Sequence, residues 1–356
     1  MKIDFIISSL RDGGAERVLV ILANEFADNG HDVTIVTFND IEKYELNPKI
    51  NRVRLHRNTI KNQTLRYLIN LIKYYFTKKN KPDIAISFLT QTNLTSIIAA
   101  RLLKIKVIAC EHTNHQRTST NSKIVTFTRK YIYRWAHKIT VLTSFDIDYY
   151  KKFKSDVMVM PNPCTFEVVK ENKKREKVIL AVGNLDKYHI KGFDNLIEVI
   201  APVLNTNSDW KLKFIGGGDK GLSFLQKLVD EKGVSDNVIF DGFKSNVADI
   251  MSNSEIFILS SRTEGLPMAL LEAMSQGMAC ISYDCVSGPS DIITNNENGL
   301  LIEDQNQKKL QLGISNLITD KDLRKKLQKT AVNSIDSYKK EAIYKKWEKL
   351  ISEILT

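Results

Sequence analysis

Two glutamates eight positions apart are the first residues of this chain whose types and spacing indicate a binding site. Glu264 and Glu272 flank a Gly-Leu-Pro step in the stretch EGLPMALLEAMSQG. Pro267 predicts the first position of a helix, because the N–H that proline lacks has no intrahelical partner there. Glu264 then lies in the preceding loop and Glu272 in the second helical turn. Free amides at a helix N-terminus attract phosphates. The stretch therefore predicts one corner of a ligand site, with an ordinary capped helix and two solvated glutamates as the alternative.

Residues suited to phosphate binding follow other strand-like segments. Gly13 and Gly14 open a helical pattern after the first strand, and a glycine backbone can approach a phosphate closely. Lys191 stands at a loop-to-helix junction, where its ammonium can reach a diphosphate as a compact point charge. A tight turn remains the alternative for the glycine pair. The chain lacks a GxGxxG motif and a convincing acidic residue after the second strand, which disfavours a nicotinamide dinucleotide.

One strand end carries histidines. The segment ACEHTNH places Glu111, His112 and His115 where a strand-like run gives way to a loop. A single histidine is more often a structural hydrogen-bonding group than a catalytic one. The strand-end position favours a functional role for His112.

The elements that would position these residues alternate along the whole chain. Apolar strand-like runs alternate with helical patterns, which predicts parallel sheets covered by helices. A length of 356 residues indicates two domains, and MPNPCTFEVVKENKKREK is a plausible linker. Two doubly wound domains would bind ligands at the carboxyl ends of their strands, in the cleft between them. The predicted strands are KIDFIIS, DVTIVTF, DIAISFL, KVIACEH and KITVLTS in the first half, and KVILAVG, KLKFIGGG, NVIFDGF, EIFILSS and ACISYD in the second.

The predicted domains comprise residues 1–165 and 166–338, followed by a helix over 339–356 that packs back on the first domain. The apolar runs are too short to cross a bilayer, and the first ten residues lack the pattern of a signal peptide. The four cysteines show no zinc-binding spacing and suit reduced thiols. These features together predict a cytoplasmic protein.

Basic residues concentrate in two windows that contain no acidic residue, 46–82 and 112–145, in a chain with a net charge of +11. Such concentration favours an anionic partner, which could be a membrane surface, a polyphosphate or a nucleic acid. Helical spacing in the first window predicts an apolar face, and the second window interleaves aromatic residues with cations. Solvated lysines on helices that pack on the sheet are the alternative. The apolar face comprises Leu65, Leu68, Ile69, Ile72 and Phe76, and the cations are Arg129, Lys130 and Arg134.

The order of the motifs resembles that of retaining family 4 glycosyltransferases of GT-B architecture. GGAER, EH after a strand, PNP at the linker, VG…KG, GGG and EGLPMALLEAMSQG occur in that order over nearly the whole chain. The segments CEHTNH and SFLTQTN are most similar to enzymes that elongate oligosaccharides on undecaprenyl diphosphate, some of which transfer N-acetylgalactosamine. The resemblance implies an α/β fold of two doubly wound Rossmann-like domains that face a central cleft.

The resemblance implies a hexosyltransferase that moves a hexose or N-acetylhexosamine from a UDP-sugar to a lipid-linked glycan in bacterial surface polysaccharide or oligosaccharide assembly. The donor is a substrate, and neither a cofactor nor a metal is expected. The leaving phosphate itself would take the acceptor proton. The Asp-x-Asp motif at Asp146 to Asp148 follows Ser144, a capping residue, and so predicts a first helical turn rather than a metal site.

The resemblance also implies roles for single residues. Glu272 would accept hydrogen bonds from the ribose hydroxyls, and Glu264 would contact the donor sugar. The remaining assignments are the amides of Gly265 and Leu266 for sugar hydroxyls or phosphate, Gly13, Gly14 and Lys191 for the diphosphate, His112 for the donor sugar near the reaction centre, and the backbone at Phe243 for the base. Asn184 stands where the family commonly carries arginine, so phosphate binding would rest on Lys191 with help from Lys187, His189 or an arginine elsewhere.

The acceptor side is expected to involve Arg129, Lys130 and Arg134. The enzyme would then lie on the cytoplasmic face of the cell membrane and meet anionic lipid. Two alternatives are a UDP-sugar epimerase of similar fold and a basic nucleic-acid-binding protein. The chain shows no helix-turn-helix, zinc or base-stacking motif, which disfavours a nucleic acid as partner.

Overall fold

The structure is a computed structural model, and it describes residues 1–11, 13–56, 60–116, 123–169 and 174–356. The chain divides into two compact units. Unit 1 comprises Met1–Asn162 and Glu341–Thr356, and unit 2 comprises Pro163–Lys340. The sequence placed these divisions after residues 165 and 338. Arg57 and Arg117 of the basic windows and residues 170–173 of the linker lie outside the described residues.

Within the described residues, unit 1 is built on a parallel sheet of seven strands in the order β3-β2-β1-β4-β5-β6-β7. β1 lies between β2 and β4, so that Phe5 is opposite both Ile35 and Ile86. The chain direction across the sheet reverses at β1, as it does in a Rossmann fold. The strands are β1 Lys2–Ile7, β2 Asp32–Thr37, β3 Asn51–Arg54, β4 Ile84–Phe88, β5 Lys106–Cys110, β6 Lys138–Val141 and β7 Val157–Val159.

Helices cover both faces of this sheet. They are α1 Gly14–Asp28, α2 Gln63–Phe76, α3 Thr90–Leu103, α4 Lys123–Phe127 and α5 Ile147–Lys151. A π-helix, Thr128–Ile132, and a 3-10 helix, Tyr133–Trp135, continue α4, and further 3-10 helices span Lys78–Asn80 and Ser144–Asp146. Apolar side chains of the strands are buried against these helices on both faces.

The buried face of α2 differs from the predicted one. Tyr67, Asn70, Leu71 and Tyr75 are buried, whereas Leu65 and Phe76, at the two ends of the predicted apolar face, are 48% and 79% exposed. Hydrogen bonds from polar residues of α2 to groups inside unit 1 determine which face of the helix is buried. Tyr75 donates to Oδ2 of Asp4 at 2.8 Å, and Asn70 donates to a backbone carbonyl at 2.8 Å. Apolar spacing alone cannot reveal such partners.

Unit 2 repeats the arrangement with a parallel sheet of six strands, among the described residues, in the order β10-β9-β8-β11-β12-β13. Numbered from β8, this order is the 3-2-1-4-5-6 of a Rossmann fold. The strands are β8 Glu176–Val182, β9 Lys211–Ile215, β10 Val238–Phe240, β11 Ser254–Leu259, β12 Ala279–Tyr283 and β13 Leu300–Ile302. Both sheets confirm the predicted doubly wound α/β class.

The helices of unit 2 pack on both faces of its sheet. They are α6 Tyr188–Lys191, α7 Phe193–Thr206, α8 Asp219–Glu231, α9 Val247–Asn253, α10 Met268–Ser275, α11 Pro289–Ile292, α12 Gln307–Thr319 and α13 Lys321–Ser334. Short 3-10 helices span Leu185–Lys187, Ser235–Asn237 and Ile335–Tyr338.

The last helix, α14, spans Lys340–Leu355 and packs in the core of unit 1. Ile343, Trp347, Leu350 and Ile351 are buried there, at the spacing of one helix face. The ring of Tyr344 meets that of Phe26 edge-on, 4.9 Å between centroids. None of the described helices is long and apolar enough to span a bilayer.

Candidate functional site

The loops that follow β8 and β11 carry the two charged residues at the centre of the candidate site in unit 2. These strands are neighbours, yet the chain leaves them towards opposite edges of the sheet. Rossmann-like folds bind ligands at such a switch point, outside the carboxyl ends of the strands. Lys191 ends α6 after β8, and Glu264 lies in the loop after β11.

Lys191 and Glu264 form an ion pair at this position. Nζ of Lys191 lies 2.8 Å from Oε1 of Glu264, and Oγ of Ser261 donates to the same oxygen at 2.6 Å. The side chain of Lys191 is 25% exposed and that of Glu264 is 11% exposed. The Lys191 side chain is therefore partly accessible.

Backbone contacts hold the two loops in register. The amide of Arg262 donates to the carbonyl of Ile190 at 2.9 Å, and Oγ of Ser260 donates to the carbonyl of Lys191 at 2.9 Å. Gly192 permits this approach because its φ is +65° and because a Cβ there would lie 1.9 Å from the carbonyl oxygen of Ser260. Only glycine fits without moving the strand-end backbone.

The turn before α10 differs by one residue from the prediction. Pro267 occupies the N-cap position, with φ −73° and ψ 90°, and the helix begins at Met268. No side chain among the described residues caps this end. The amides of Leu270 and Leu271 donate to the carbonyl of Pro267, which leaves the first two amides of the helix for a ligand. Gly288 packs against the turn, since a Cβ there would lie 2.7 Å from the carbonyl oxygen of Gly265. Oγ of Ser287 donates to the same oxygen at 3.0 Å.

Glu272 lies in the second turn of α10, as the sequence predicted, and is 8% exposed. Its Oε1 accepts a short hydrogen bond from the hydroxyl of Thr165. Leu266 is buried, so only its backbone can serve a ligand. The sequence signalled neither Thr165 nor Ser261, because a lone hydroxyl has no characteristic spacing.

The glycine-rich turn after β9 has a packing function. A Cβ at Gly216 would lie 1.9 Å from the carbonyl oxygen of Gly183, and one at Gly218 would lie 2.5 Å from the amide of Asp186. These glycines let the turns after β8 and β9 pass in contact. Oδ1 of Asn184 accepts from the amide of Asp186 at 2.8 Å and so caps the 3-10 helix. The side chain of Phe243, after β10, is 83% exposed.

Unit 1 presents its own residues beyond the carboxyl ends of β1 and β5. Gly13 is the N-cap of α1, and its backbone contacts the hydroxyl of Tyr44. A Cβ on Gly13 would lie 2.1 Å from a carboxylate oxygen of Glu16, whereas one on Gly14 would meet open space. Gly14 is therefore the more accessible of the two predicted phosphate contacts. Burial raises the pKa of the Glu16 carboxyl, which favours its neutral form.

His112 stacks on Phe88, with 4.9 Å between ring centroids and 21° between the planes. The ring is half-buried, and burial lowers the pKa of His112 to about 4. The imidazole is therefore neutral at pH 7. A neutral imidazole can exchange hydrogen bonds with a sugar hydroxyl without adding charge to the site.

Arg129 does not belong to the exposed basic surface that the sequence predicted, because it is 1% exposed. Its Nη2 lies 2.7 Å from Oε2 of Glu111. The other carboxylate oxygen, Oε1, accepts hydrogen bonds from the hydroxyls of Thr90 and Tyr133. Burial alone would lower the pKa of Arg129, but the Glu111 carboxylate raises it above the ordinary value. This buried pair fixes the loop that carries His112.

Of the other two predicted acceptor residues, Arg134 is exposed. Lys130 is half-buried, and its ammonium lies 5.5 Å from the ring centroid of Phe153. The two aspartates of the DID segment lie in first helical turns, as predicted: Asp146 in the 3-10 helix Ser144–Asp146 and Asp148 in α5. Asp146 is also buried and bonds to His115.

Two family models match nearly the whole chain. Residues 12–167 match Glycosyltransferase Family 4, and residues 165–334 match Glycosyl transferases group 1. The chain is 32% identical over 365 residues, and 99% of each chain, to the GalNAc-alpha-(1->4)-GalNAc-alpha-(1->3)-diNAcBac-PP-undecaprenol alpha-1,4-N-acetyl-D-galactosaminyltransferase of Campylobacter jejuni. The chain belongs to the family 4 glycosyltransferases. This confirms the family that the motif order indicated.

Solved structures show that this glycosyltransferase has the GT-B fold. The lipopolysaccharide outer core galactosyltransferase WaaB, in its apo form, superposes with a TM-score of 0.78 at 23% identity over 99% of both chains. Anabaena Alr3699/HepE in complex with UDP superposes with a TM-score of 0.80 at 16% identity over 99% of this chain and 100% of that one. The likeness covers both units.

The site chemistry of the glycosyltransferase thus has two parts that the structure describes separately. Unit 2 offers an ammonium beside a carboxylate, a helix with free amides and a second, buried carboxylate. Unit 1 offers a neutral imidazole and an accessible glycine backbone. In the described part of the chain, no group of three or more His, Cys, Asp or Glu side chains is placed to hold a metal ion.

Proposed function

We propose that this glycosyltransferase is a retaining enzyme that transfers a hexose or N-acetylhexosamine from a UDP-sugar to a lipid-linked glycan in bacterial surface polysaccharide or oligosaccharide assembly. The Campylobacter relative is named for an undecaprenol-linked glycan, and the HepE structure contains UDP. The full-length match to the former supports the acceptor class. Shared fold with the latter is compatible with UDP as the nucleotide.

The observation that carries the proposal is the Lys191–Glu264 ion pair at the switch point of unit 2. A donor diphosphate beside Lys191 would compete with Glu264 for the ammonium. The carboxylate would then be free to accept hydrogen bonds from hydroxyls of the donor sugar. The Lys191–Glu264 pair thereby provides one contact for the diphosphate and one for the sugar, the two parts of the donor that the breaking bond joins.

Charge develops on the leaving diphosphate as the glycosidic bond breaks. The Lys191 ammonium and the open amides of α10 supply positive charge for that group, and preorganised charge of this kind is a major source of rate enhancement. The leaving phosphate would take the acceptor proton, so that transfer proceeds on one face of the sugar with retention. In this mechanism the chain needs neither a metal nor a cofactor.

Glu272 is assigned to the ribose. Its carboxylate can accept two hydrogen bonds from a vicinal diol, and the Thr165 hydroxyl already fixes one of its oxygens. Because Glu272 is only 8% exposed, a ligand must reach into the pocket to contact its carboxylate. A ribose with both hydroxyls satisfies this requirement.

The membrane-facing part of the proposal rests on α2. Leu65, Ile69, Ile72 and Phe76 lie at i, i+4, i+7 and i+11, on one side of the helix. Both end residues are well exposed, whereas Ile72 packs partly against the core of unit 1. The exposed Lys73, Lys78 and Lys79 stand near its C-terminal end. An apolar stripe beside cations suits the surface of a bilayer with anionic headgroups. The enzyme would work there on the cytoplasmic face.

The first experiment is a thermal-shift panel with UDP, GDP, ADP and CMP on the wild type and on Glu272→Ala. A ligand at 100 times its dissociation constant stabilises the native state by about 2.7 kcal/mol. We expect UDP to raise the melting temperature of the wild type and not of the variant. Glu297→Ala, at an exposed glutamate of unit 2, is the matched control.

The panel also separates the alternatives. A shift with GDP alone would indicate a GDP-sugar as the donor. No shift with any nucleotide would contradict the proposal. A UDP-sugar screen with a polyprenyl-diphosphate glycan then identifies the sugar, and NMR of the product gives the anomeric configuration. Conversion of a UDP-sugar without acceptor would instead indicate an epimerase.

A further inference from the structure

His115 and Asp146 form a second polar pair in unit 1, apart from His112. His115 lies in the loop after β5, and Asp146 ends the 3-10 helix that follows β6, the neighbouring strand in the sheet. Both loops leave the carboxyl edge of the sheet, where Rossmann-like domains bind their ligands. Neither residue has a role in the donor chemistry described above.

The carboxylate of Asp146 determines the orientation of the His115 ring. Its Oδ1 accepts a hydrogen bond from the backbone amide of His115 at 2.8 Å and lies 2.7 Å from Nδ1 of the same residue. A carboxylate can only accept, so Nδ1 carries the hydrogen. In the neutral form of the ring the lone pair is therefore on Nε2, and Nε2 has no hydrogen-bond partner among the described residues.

Aromatic rings and a cation restrain the rest of the residue. The imidazole stacks on Tyr149 at 4.3 Å and on Phe145 at 5.0 Å, with planes within 16° of parallel. Nη1 of the buried Arg129 donates to the backbone carbonyl of His115 at 3.4 Å. The backbone bond to Asp146 would by itself join the two loops. The contact between Oδ1 of Asp146 and Nδ1 also fixes the orientation of the imidazole, and the His115 side chain is 17% exposed.

The chemistry around Nε2 selects the class of ligand. Asp146 places a buried negative charge beside the ring, 5% exposed, and so disfavours an anion such as phosphate. The described residues nearby do not supply the three or more side chains that a metal needs. The lone pair of Nε2 can accept a hydrogen bond from a neutral hydroxyl, which is the group that a glycan offers.

We propose that Nε2 of His115 accepts a hydrogen bond from a sugar hydroxyl of the acceptor glycan, and that Asp146 is the positioning residue that holds the imidazole for it. This inference rests on the proposed function, since it assigns the acceptor side of the same reaction. His115 orients the acceptor sugar within unit 1.

The test uses a short-chain polyprenyl diphosphate that bears α-1,4-linked N-acetylgalactosamine residues as the probe. His115→Asn retains an amide that can donate to Asp146 but has nothing at the position of Nε2. His115→Gln carries an oxygen near that position. We expect the dissociation constant of the probe to rise about tenfold in His115→Asn, as for one lost hydrogen bond. We expect partial recovery in His115→Gln and a rise in Asp146→Asn.

UDP binding, measured by thermal shift on the same proteins, separates this inference from the proposed function. Unchanged UDP binding in all three variants, with weaker probe binding in His115→Asn, supports the role. Probe binding that depends on His115 in a protein that does not bind UDP would remove the proposed donor and leave the inference standing. Equal probe binding by the wild type and His115→Asn, or no binding by the wild type, overturns the inference.

Discussion

The ammonium of Lys191 lies 2.8 Å from a carboxylate oxygen of Glu264, across a gap in sequence of 73 residues. The two residues follow the adjacent strands β8 and β11, at which the chain order of the sheet reverses. Their meeting is a consequence of the doubly wound topology, because neither sequence separation nor local structure brings them together. The fold thus brings together two motifs whose contact could not be predicted from their order in the sequence.

Replacement of Lys191 by Met should lower the rate of transfer about 10²–10³-fold, because the variant cannot stabilise charge on the leaving diphosphate. Steady-state kinetics with the UDP-sugar identified by the screen would measure this loss. Lys227→Met, at an exposed lysine of α8 in unit 2, should keep near wild-type kinetics. Equal rates for Lys191→Met and the wild type would remove Lys191 from the mechanism.

Glu272→Gln should weaken UDP binding by about tenfold, since the amide replaces one acceptor oxygen of the carboxylate by an NH2 donor and removes the negative charge. Thr165→Val should weaken it by less, because it removes only the hydroxyl that orients the carboxylate. Isothermal titration calorimetry with UDP would compare the two variants. A larger effect of Thr165→Val than of Glu272→Gln would show that the hydroxyl, rather than the carboxylate, binds the nucleotide.

Arg129→Ala should destabilise the protein by about 3–5 kcal/mol, because it leaves the Glu111 carboxylate buried without its counter-charge. The double variant Arg129→Met with Glu111→Gln should recover much of this loss, since it buries no unpaired charge. Urea unfolding measures both. Arg134→Ala, at an exposed cation close by, is the control and should change the free energy of unfolding by less than about 0.5 kcal/mol.

Most strands of the two sheets could be predicted from the sequence, because their residues form a recognisable local pattern. Ten strands were predicted and observed, because buried parallel strands are continuous apolar runs. The strands missed were β3, which reads NRVR, and the three-residue β7 and β13. Each is too short or too polar to stand out in sequence, and its place is set by pairing with a neighbour.

The residues of the candidate site that belong to a sequence motif, such as those of the EGLPMALLEAMSQG stretch, could be predicted. The residues that form hydrogen bonds with them could not. Thr165 and Ser261 reach the two glutamates only through the fold. Arg129 was misplaced because a cation within a basic, aromatic segment is usually exposed, whereas this one lies opposite the buried Glu111. Long-range pairing, which local pattern does not encode, decided each of these cases.

His112 should make the protein less stable as the pH falls below neutrality. Burial lowers its pKa to about 4 in the native state, and the unfolded chain has the ordinary value of 6.5. The unfolded state therefore binds more protons between these two values. The stabilising contribution is present above pH 6.5 and is lost as the pH falls towards 4. Urea unfolding from pH 4.5 to 7.5 should show a weaker pH dependence in His112→Gln than in the wild type, and identical slopes would contradict the lowered pKa of His112.

Membrane association should depend on the exposed ends of the α2 stripe. Leu65→Ser with Phe76→Ser removes two well-exposed apolar side chains and should reduce co-sedimentation with phosphatidylglycerol vesicles about tenfold or more, as expected from the lost apolar burial. Leu312→Ser, at a 61% exposed position in α12 of unit 2, is the matched control and should bind as the wild type does. Binding by the wild type should weaken with salt, because the neighbouring lysines interact with anionic headgroups. If the wild type does not co-sediment at low salt, or the double variant binds equally well, α2 is not the membrane-binding surface.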